Sequence, residues 1–513
     1  MIAVVLAILA VPLAAGLACL AVPGRAAAAV TVVSGTASFA LVLALVPEAA
    51  RGNLSYLSGY VTADAVSVVF LLATGFLYAA VAVYSAGYLR RHDARYARRF
   101  HAGFNAFAWA MLTAPLMGSL ALLWIAVEVT TVISALLVAI EDTDGAAEAA
   151  WKYVLIASAG LGLALLATVF AYYAGAQVLG EHYSLAVQPL IQAGPRLPGT
   201  PVRLAFLLAV LGYGTKAGLF PVHTWLPDAH SEAPAPVSAL LSGSLLAVSF
   251  YAILRFYQVA AASLGSGFPR DALLASGVAS LLLASLCVFG QRDVKRLLAY
   301  SSIEHMGILA IGVSFGAPAA LAGVLLHVMA HAAAKGSAFM GAGVFTVKYG
   351  TKRMAAVRGG LALLPWSGPL FLLAIFALSA VPPSGIFRSE FQIVSGGLRG
   401  GSYAAAAVLV VLVTLAFSGL AAPATGMLLT PPPGTGTAAA RQQAPAGRAE
   451  AGSAAVAVRA RARAHQPLAR GEPSAWMVVP VLAGLAVLVL LGVHPPGELT
   501  DLITRGAAQL GAP

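Results

Sequence analysis

The sequence predicts an all-α integral membrane protein with about fourteen transmembrane helices. The chain has 513 residues, of which 60% are hydrophobic and only 10% are charged, and its mean hydropathy is +0.88. A soluble domain carries about a quarter charged residues, so this chain lacks the charge needed to cover a water-exposed surface. Apolar runs near the roughly 20 residues that span a bilayer recur along the chain instead.

The predicted helices follow these apolar runs in order. The first run, Met1 to Val22, has no basic segment before it and is longer than the apolar core of a signal peptide, so we interpret it as a membrane helix. The long stretch from Phe104 to Ile140 is divided near Gly118. The predicted helices are 2–22, 26–46, 62–88, 102–117, 120–140, 150–174, 201–222, 235–258, 272–290, 297–315, 318–347, 365–392, 402–430 and 476–493.

Prolines interrupt two of the predicted helices. Pro221 lies in the seventh, and Pro382 and Pro383 lie in the twelfth, where proline removes a backbone hydrogen bond and clashes with the preceding turn. A short motif accompanies each break: Ala217-Gly218-Leu219-Phe220 at the first and Ser384-Gly385-Ile386-Phe387 at the second. Broken helices at matching places indicate a binding site in repeat-built transporters. The sequence therefore predicts two inverted five-helix repeats, helices 4–8 and 9–13, with helices 7 and 12 broken.

This organisation divides the chain into five parts. They are the first three helices at 1–100, the first repeat at 101–258, the second repeat at 272–430, a disordered basic cytoplasmic loop at 431–475, and a final helix and tail at 476–513. The loop is rich in Pro, Ala, Gly and Arg and has no apolar period. Its arginines could contact anionic lipid or a partner, or could belong to a solvated linker.

Loop Lys and Arg residues predict the orientation. Most of them collect on one side of the predicted topology, in the loops around 23–25, 89–101, 290–296, 348–358 and 431–474. Because basic loops stay in the cytoplasm, both termini are predicted to face outward across the inner (cytoplasmic) membrane of a bacterial cell. This topology accounts for the net charge of +11 without a nucleic-acid partner.

The chain has only two cysteines, Cys19 and Cys287, and both lie inside apolar runs. Two isolated thiols cannot hold an iron–sulfur cluster, a four-cysteine zinc site or a disulfide framework. We therefore expect no cofactor on this chain, and any redox chemistry must occur on another chain.

A small set of ionisable residues lies at predicted membrane depth, where each costs about 2.5–3.5 kcal/mol on insertion scales. Glu128 in the fifth helix and Lys216 in the seventh suggest an ion pair inside the protein. Burial disfavours the charged form of a lysine and a carboxylate favours it, so such a lysine can load and release a proton when the carboxylate moves. A static pair that only orients two helices is the alternative.

His327, His331 and Lys335 recur at i, i+4 and i+8, and therefore share one helical face. Three titratable groups in line could relay protons or line a wet path. Two histidines at i and i+4 could also bind a metal ion, but no acidic or cysteine ligand lies near them in sequence. Glu390 adds an acid after the break in the twelfth helix.

Several long motifs resemble one family. The segment GTKAGLFPVHTWLPDAHSEAPAPVSALLSG at 214–243, RDVKRLLAYSSIEHMG at 292–307, LLHVMAHAAAKGSAF at 325–339 and YSAGYL at 84–89 are similar to signatures of the proton-antiporter-like subunits of complex I and its hydrogenase relatives. Details such as SSIEHMG and WKYVLIASAG resemble component F of hydrogenase-four and formate-hydrogenlyase-type membrane subunits. The motifs cover most of residues 60–395.

The resemblance implies a role for each residue of the predicted proton path. Glu128 and Lys216 match the acid and lysine of an input half-channel, and Glu390 matches an acid on the exit side. The respiratory complex I and sodium/proton antiporter versions usually carry a histidine where Ser242 stands, and its absence weakens the link between the input lysine and the centre unless a water chain substitutes. The residues that match the central membrane path are His327, His331 and Lys335.

By resemblance, the chain is a proton-translocating subunit of a redox complex of the hydrogenase or NADH–quinone oxidoreductase type. Its implied partners are other membrane subunits, a peripheral hydrogenase-like redox module with iron–sulfur proteins, and the lipid bilayer. Two alternatives remain open at this stage. The chain could serve a cation/proton antiporter that has no redox partner, or it could be a structural membrane anchor with a vestigial proton path.

Overall fold

The computed structural model describes residues 1–431 and 469–511. Within these ranges the chain is almost entirely helical, and eleven helices are long and apolar enough to cross a membrane. The described residues form one small sheet, an antiparallel hairpin of β1 (Leu54–Tyr56) and β2 (Val61–Ala63). The predicted all-α membrane fold is confirmed.

The helices fall into three groups along the chain. The first group is α1 Ile2–Ala21, α2 Gly24–Leu43, α3 Val46–Arg51, α4 Ala65–Tyr88, α5 Ala94–Thr113, α6 Leu120–Val138 and α7 Asp144–Leu179. The second is α8 Val187–Ala193, α9 Gly199–Ala217, α10 Trp225–Glu232, α11 Ala235–Leu240, α12 Leu246–Leu264 and α13 Gly267–Cys287. The third is α14 Val294–Phe315, α15 Pro318–Tyr349, α16 Gly360–Leu363, α17 Ser367–Leu378, α18 Gly385–Arg399, α19 Tyr403–Leu429, α20 Ala475–Val493 and α21 Gly497–Gly511.

Aspartates set the start of three long helices. Asp64, Asp93 and Asp293 precede α4, α5 and α14, and each carboxylate accepts a hydrogen bond from a backbone N–H in the first turn. Such a cap satisfies a donor that has no partner within the helix. Asp64 also forms a buried ion pair with Arg255 of α12 at 2.7 Å, which joins the ends of two core helices.

The first helix break follows directly from the local sequence. Helix α9 ends at Ala217 because Gly218 adopts a left-handed conformation with φ of +82°, which glycine tolerates best. Pro221 lies in the following loop, and α10 begins at Trp225. The indole nitrogen of Trp225 donates to the Thr215 carbonyl at 2.7 Å, which satisfies a backbone group near the end of α9.

The second break separates α17 from α18. Helix α17 ends at Leu378, the two prolines Pro382 and Pro383 follow, and α18 begins at Gly385. The Ser384 hydroxyl accepts from the Phe387 N–H at 3.2 Å and caps the new helix. Both predicted interruptions therefore separate helical segments in the structure.

Burial divides the long helices into an inner and an outer set. The segment that contains α11 and α12 is buried along its whole apolar window, and α4, α14 and α15 are buried over most of theirs. By contrast, α1, α13, α19 and α20 are buried over only about a third, and they expose leucine and valine side chains such as Val411 and Leu286. Exposed apolar faces of this kind suit contact with lipid.

Glycines allow two pairs of helices to approach closely. A side-chain carbon added at Gly212 of α9 would lie 2.5 Å from the Ala164 nitrogen of α7, and one added at Gly277 of α13 would lie 2.8 Å from the Gly307 carbonyl of α14. Small residues at such crossings let backbones pack together inside a membrane. The close packing of α7 against α9 fixes the position of the last turn of α9.

The structure differs from the sequence predictions at four places. The fourth predicted helix, 102–117, begins earlier, at Ala94, because Asp93 caps about two additional turns rich in arginine. Helix α21 and the β hairpin were not predicted. The predicted disordered loop at 431–475 lies mostly outside the described residues, but its last part is ordered: Glu472 accepts hydrogen bonds from the N–H groups of Trp366 and Ser367.

Candidate functional site

Lys216 lies in the last turn of α9, immediately before the break, and is fully buried. Its Nζ donates to the Val127 carbonyl at 2.6 Å, to Thr130 Oγ1 at 2.5 Å and to Thr131 Oγ1 at 2.6 Å. All three acceptors belong to α6, and together they match the three donors of an ammonium group. The surroundings of Lys216 can therefore hold a charged lysine without a carboxylate in contact.

Glu128 is half-buried and does not pair directly with Lys216. Its Oε1 accepts from Ser158 of α7 at 3.4 Å, and its Oε2 has no partner among the described residues. Lys216 contacts one face of α6, and residue 128 is rotated about 100° from residue 127 around the helix. The predicted ion pair is therefore wrong for this structure.

A cluster of three histidines lies at the centre of the protein. His327 and His331 of α15 face His305 of α14, and all three are fully buried. His305 Nδ1 lies 3.0 Å from His327 Nε2, and His327 Nδ1 lies 2.9 Å from Ser389 Oγ of α18. The His331 ring centre lies 5.1 Å from that of His305, and neither nitrogen of His331 has a partner within the described chain.

Lys335 lies one turn beyond His331 on the same face of α15, towards the C-terminal end of that helix. It is fully buried, and its Nζ donates to the Leu298 carbonyl of α14 at 2.9 Å. Glu304 lies farther along α14, is 2% exposed, and has an Oε2 without a partner in the described ranges. A lysine and an acid are thus both buried beside the histidine cluster.

Glu390 follows Ser389 on α18 and brings an acid to the other end of the cluster. It is buried, and one ligand atom from each of His305, His327 and Glu390 lies within 4.8 Å of the others. These three groups could bind a transition metal such as Zn²⁺. Both nitrogens of His327, however, already lie at hydrogen-bond distance from His305 and Ser389, so a metal would have to displace one of those contacts. The arrangement suits proton transfer better.

Ser242 is the position at which the sequence resemblance implies a histidine in complex I and antiporter members. It lies in a π-helical segment, Leu241–Leu245, between α11 and α12, and such segments are frequent at functional sites. Its hydroxyl lies 2.7 Å from the Ser302 hydroxyl of α14. A side-chain carbon at Gly218 would lie 3.9 Å from Ile303, so the break after Lys216 lies beside the same part of α14.

The structure brings together most of the residues predicted from the sequence and adds others. His327, His331 and Glu390 join one cluster, Lys335 adjoins it, and Lys216 lies at the neighbouring break. Glu128 of α6 is half-buried, and its one side-chain hydrogen bond within the described residues is to Ser158 of α7. The sequence analysis passed over Glu304, although the same rule that selected Glu390, a lone acid inside an apolar helix, would have found it.

His230 is a further buried group that the sequence analysis missed. It lies on α10, is fully buried, stacks on Phe339 with ring centres 5.2 Å apart, and has both nitrogens unpartnered in the described structure. The sequence gives little sign that His230 is buried, because the histidine lies in a proline-rich segment. A solvated loop is the usual interpretation of such a segment. Phe339 lies one turn beyond Lys335 on α15, so His230 borders the same polar region.

Fold and site together define a class: polytopic helical membrane proteins with buried ionisable groups along an axis between two broken helices. Residues 118–416 match the family described as "NADH:quinone oxidoreductase/Mrp antiporter, TM". The chain belongs to this family, the proton-antiporter-like membrane subunits, as its sequence motifs indicate.

Relatives from two kinds of complex share this family. The chain is 35% identical to "Hydrogenase-4 component F homolog" of Methylacidiphilum infernorum (isolate V4) over 359 aligned residues. The alignment covers 68% of this chain and 75% of that protein. It is 31% identical to "NADH-quinone oxidoreductase subunit N" of Desulforudis audaxviator (strain MP104C) over 342 aligned residues. That alignment covers 66% of this chain and 67% of that protein.

Solved structures share the fold. A chain of the Mrp complex from Dietzia sp. DQ12-45-1b superposes with a TM-score of 0.84 at 22% identity, covering 100% of this chain and 97% of that one. A chain of respiratory complex I from Thermus thermophilus with bound NADH superposes with a TM-score of 0.78 at 22% identity, covering 99% of both. Multi-pass membrane architecture and assembly with other membrane subunits are common to these neighbours.

Proposed function

We propose that this chain is the proton-translocating subunit of a membrane redox complex of the hydrogenase or NADH–quinone oxidoreductase type. The observation that carries the proposal is the series of buried ionisable groups across the protein. It runs from Lys216 at the first break through Lys335 and Glu304 to the histidine cluster and Glu390 at the second break. Such groups are costly in a membrane and mark proton relays.

Each residue has a distinct role in the proposed path. Lys216 receives a proton from the cytoplasmic side while α6 acceptors stabilise its charged form. Glu128 biases this step by moving towards or away from Lys216, since a nearby carboxylate favours the protonated amine. The hydroxyls of Ser242 and Ser302, with water, stand in for the family's histidine and carry the proton towards the centre.

The second half of the path begins at Lys335. Its mobile side chain can release a proton to Glu304 or to His331, and His305 and His327 are already at hydrogen-bond distance for the next transfer. Glu390 then accepts the proton beside the second break and delivers it towards the outer side. A redox module elsewhere in the complex supplies the energy, because two separate cysteines offer no site for an iron–sulfur cluster.

The proposal includes fourteen crossings and two inverted repeats. Three elements supplement the eleven long apolar helices: α5, the α9–α10 pair and the α17–α18 pair. The proposed repeats are 101–258 and 272–430, following the first three helices at 1–100 and preceding the loop at 431–475 and the tail at 476–513. Each repeat would then contain one broken helix, with Lys216 beside one break and Glu390 beside the other.

The proposed orientation places both termini outside the inner membrane of a bacterial cell. Reporter fusions after residue 95 and after residue 353 are expected to show cytoplasmic activity, because both sites adjoin clusters of exposed arginine. A fusion after Gly265, between α12 and α13, serves as the control and should report the outer side. A periplasmic signal at residue 95 or 353 would contradict the orientation.

The proposed partners are other membrane subunits and a peripheral hydrogenase-like redox module with iron–sulfur proteins. Purification in mild detergent should recover these chains together, and the separated subunit should show no flavin, nickel or iron–sulfur absorbance. Stoichiometric metal or flavin in the pure subunit would oppose the proposal.

One observation favours a second candidate function, a cation/proton antiporter without a redox partner. The Mrp complex chain shares the fold with a TM-score of 0.84. Recovery of only small membrane subunits, with cation-dependent proton movement in vesicles that receive no electron donor, would favour that candidate over the redox-driven one.

A further inference from the structure

A groove opens between the end of α4 and the starts of α2 and α5, away from the proton path, on the side that the proposed orientation places in the cytoplasm. Its volume is about 790 Å³, and α1, α2, α4, α5 and α20 surround or adjoin it. The upper lining carries Arg25, Arg90 and His92, and the lower lining is the apolar face of α2 with Val32 and Val33. No acidic residue is part of the lining.

The charges of this groove lack partners in the described protein. Arg25 and Arg90 are exposed, and neither forms a salt bridge or a side-chain hydrogen bond within residues 1–431 and 469–511. Asp93, which follows His92 in the sequence, is the nearest acidic residue along the chain. Its carboxylate accepts a hydrogen bond from the Tyr96 N–H and caps α5. Two guanidinium groups thus face one opening without a salt-bridge partner among the residues that the structure describes.

A buried histidine adds an independent polar feature. His101 lines the inner end of the groove, is fully buried, and has both ring nitrogens without a partner in the described chain. Buried polar groups are normally hydrogen-bonded, so an unpartnered imidazole at a cavity wall indicates that a polar group of a ligand or water belongs there.

The depth of the groove fits a lipid. Val33 lies about 13 Å beyond Gly24 along α2, at about 1.5 Å per residue, and is 66% exposed. The apolar lining therefore reaches close to the middle of a hydrocarbon core about 30 Å thick. Trp476, at the start of α20, borders the groove and is 47% exposed, as expected for an aromatic side chain at the interface.

We propose that this groove binds one anionic phospholipid of the cytoplasmic leaflet. The phosphate lies between Arg25 and Arg90, a glycerol or ester oxygen reaches His101, and one acyl chain follows Val32 and Val33. Guanidinium groups bind phosphate strongly and bidentately, whereas a choline headgroup would bring a third positive charge to the same opening. Basic pockets between helices on this side of a membrane are typical sites for anionic lipid.

Lipid retention by the full-length chain tests the site. Native mass spectrometry of the detergent-purified protein should show retained phosphatidylglycerol, and phosphatidylcholine with the same acyl chains should be lost. The double variant Arg25→Gln/Arg90→Gln should bind phosphatidylglycerol roughly 25-fold more weakly, since each basic residue near the surface contributes about fivefold. Because both side chains are exposed and form no salt bridge or side-chain hydrogen bond within the described residues, the fold should be unaffected.

Two further variants separate the groove from general surface charge. Arg292→Gln/Arg358→Gln removes two exposed arginines from the same side of the membrane and should leave binding unchanged. Ala29→Trp fills the exposed α2 face without changing the charge and should reduce lipid retention.

Four results would overturn the proposal. They are equal retention of phosphatidylglycerol by the Arg25/Arg90 double variant, equal retention of phosphatidylcholine, displacement of the lipid by soluble glycerol 3-phosphate, and crosslinking of the groove to an acidic protein segment in the whole complex. The last two would identify a free phosphate or a protein partner as the occupant.

Discussion

Substitution of Lys335 by arginine is expected to stop proton translocation while leaving the charge and the fold in place. Arginine does not release its proton at physiological pH, so a relay that needs deprotonation at this position fails, and the rate should fall below about a tenth of wild type. In the structure Lys335 donates to the Leu298 carbonyl, an interaction that a guanidinium can also make. The measurement is proton uptake by vesicles that carry the whole complex, driven by its own electron donor.

The matched control for Lys335→Arg is Lys348→Arg on the same helix. Lys348 lies in the last turn of α15, and its Nζ donates to the Gly471 carbonyl at 2.6 Å. It is not part of the path, so the rate should stay near wild type. If Lys335→Arg pumps as fast as Lys348→Arg, deprotonation of Lys335 is not part of the cycle, and a structural anchor with a vestigial path becomes the better reading.

The same assay ranks the contributions of His327 and His331 to proton transfer. His327→Ala removes contacts to both His305 and Ser389, whereas His331→Ala removes a ring without hydrogen-bond partners in the described chain. Water can fill the space that either ring leaves, so both variants should slow transfer less than Lys335→Arg does. The loss should be larger for His327→Ala.

The sequence could predict which buried residues share a helix, but not how separate helices meet. The spacing of His327, His331 and Lys335 sets their common face through helical geometry alone, and in the structure all three side chains approach α14. The contact of His327 with His305 depends on the rotation of α14 against α15, which no local pattern encodes. The same limit applies to the predicted pair of Glu128 and Lys216, because it required the facing direction of α6.

Helix boundaries were predictable where local sequence sets them, and not where tertiary contacts do. The breaks near Pro221 and Pro382 were predictable because proline and glycine act through local backbone sterics. Helix α21, at Gly497–Gly511, was not found because its apolar residues occupy one face and polar residues cover the other, so its mean hydropathy stays below that of a membrane span. It packs against α3, α4 and α15, and those contacts stabilise it.

Substitution of Lys216 by methionine is expected to remove proton input, and with it translocation by the whole complex. Methionine fills a similar volume but cannot carry a proton, so the rate should fall below about a tenth of wild type. Assembly should survive, because Thr130 can still donate to the Val127 carbonyl at 2.6 Å when the ammonium is absent. The comparison is Lys152→Met on α7, where the lysine is exposed and pairs with Glu148 at the surface; this variant should pump normally.

The double variant Lys216→Met/Glu128→Gln, compared with the two single variants, tests the role of Glu128. If Glu128 acts only by biasing Lys216, each single variant already blocks the input step, and the double variant should pump no worse than either one. Thermal stability should behave differently. Because Glu128 contacts Ser158 and not Lys216 in this structure, the two losses of stability should add. Strongly non-additive stability would show that the pair is in contact in the resting protein, and the arrangement of α6 described above would then represent only one stage of the cycle.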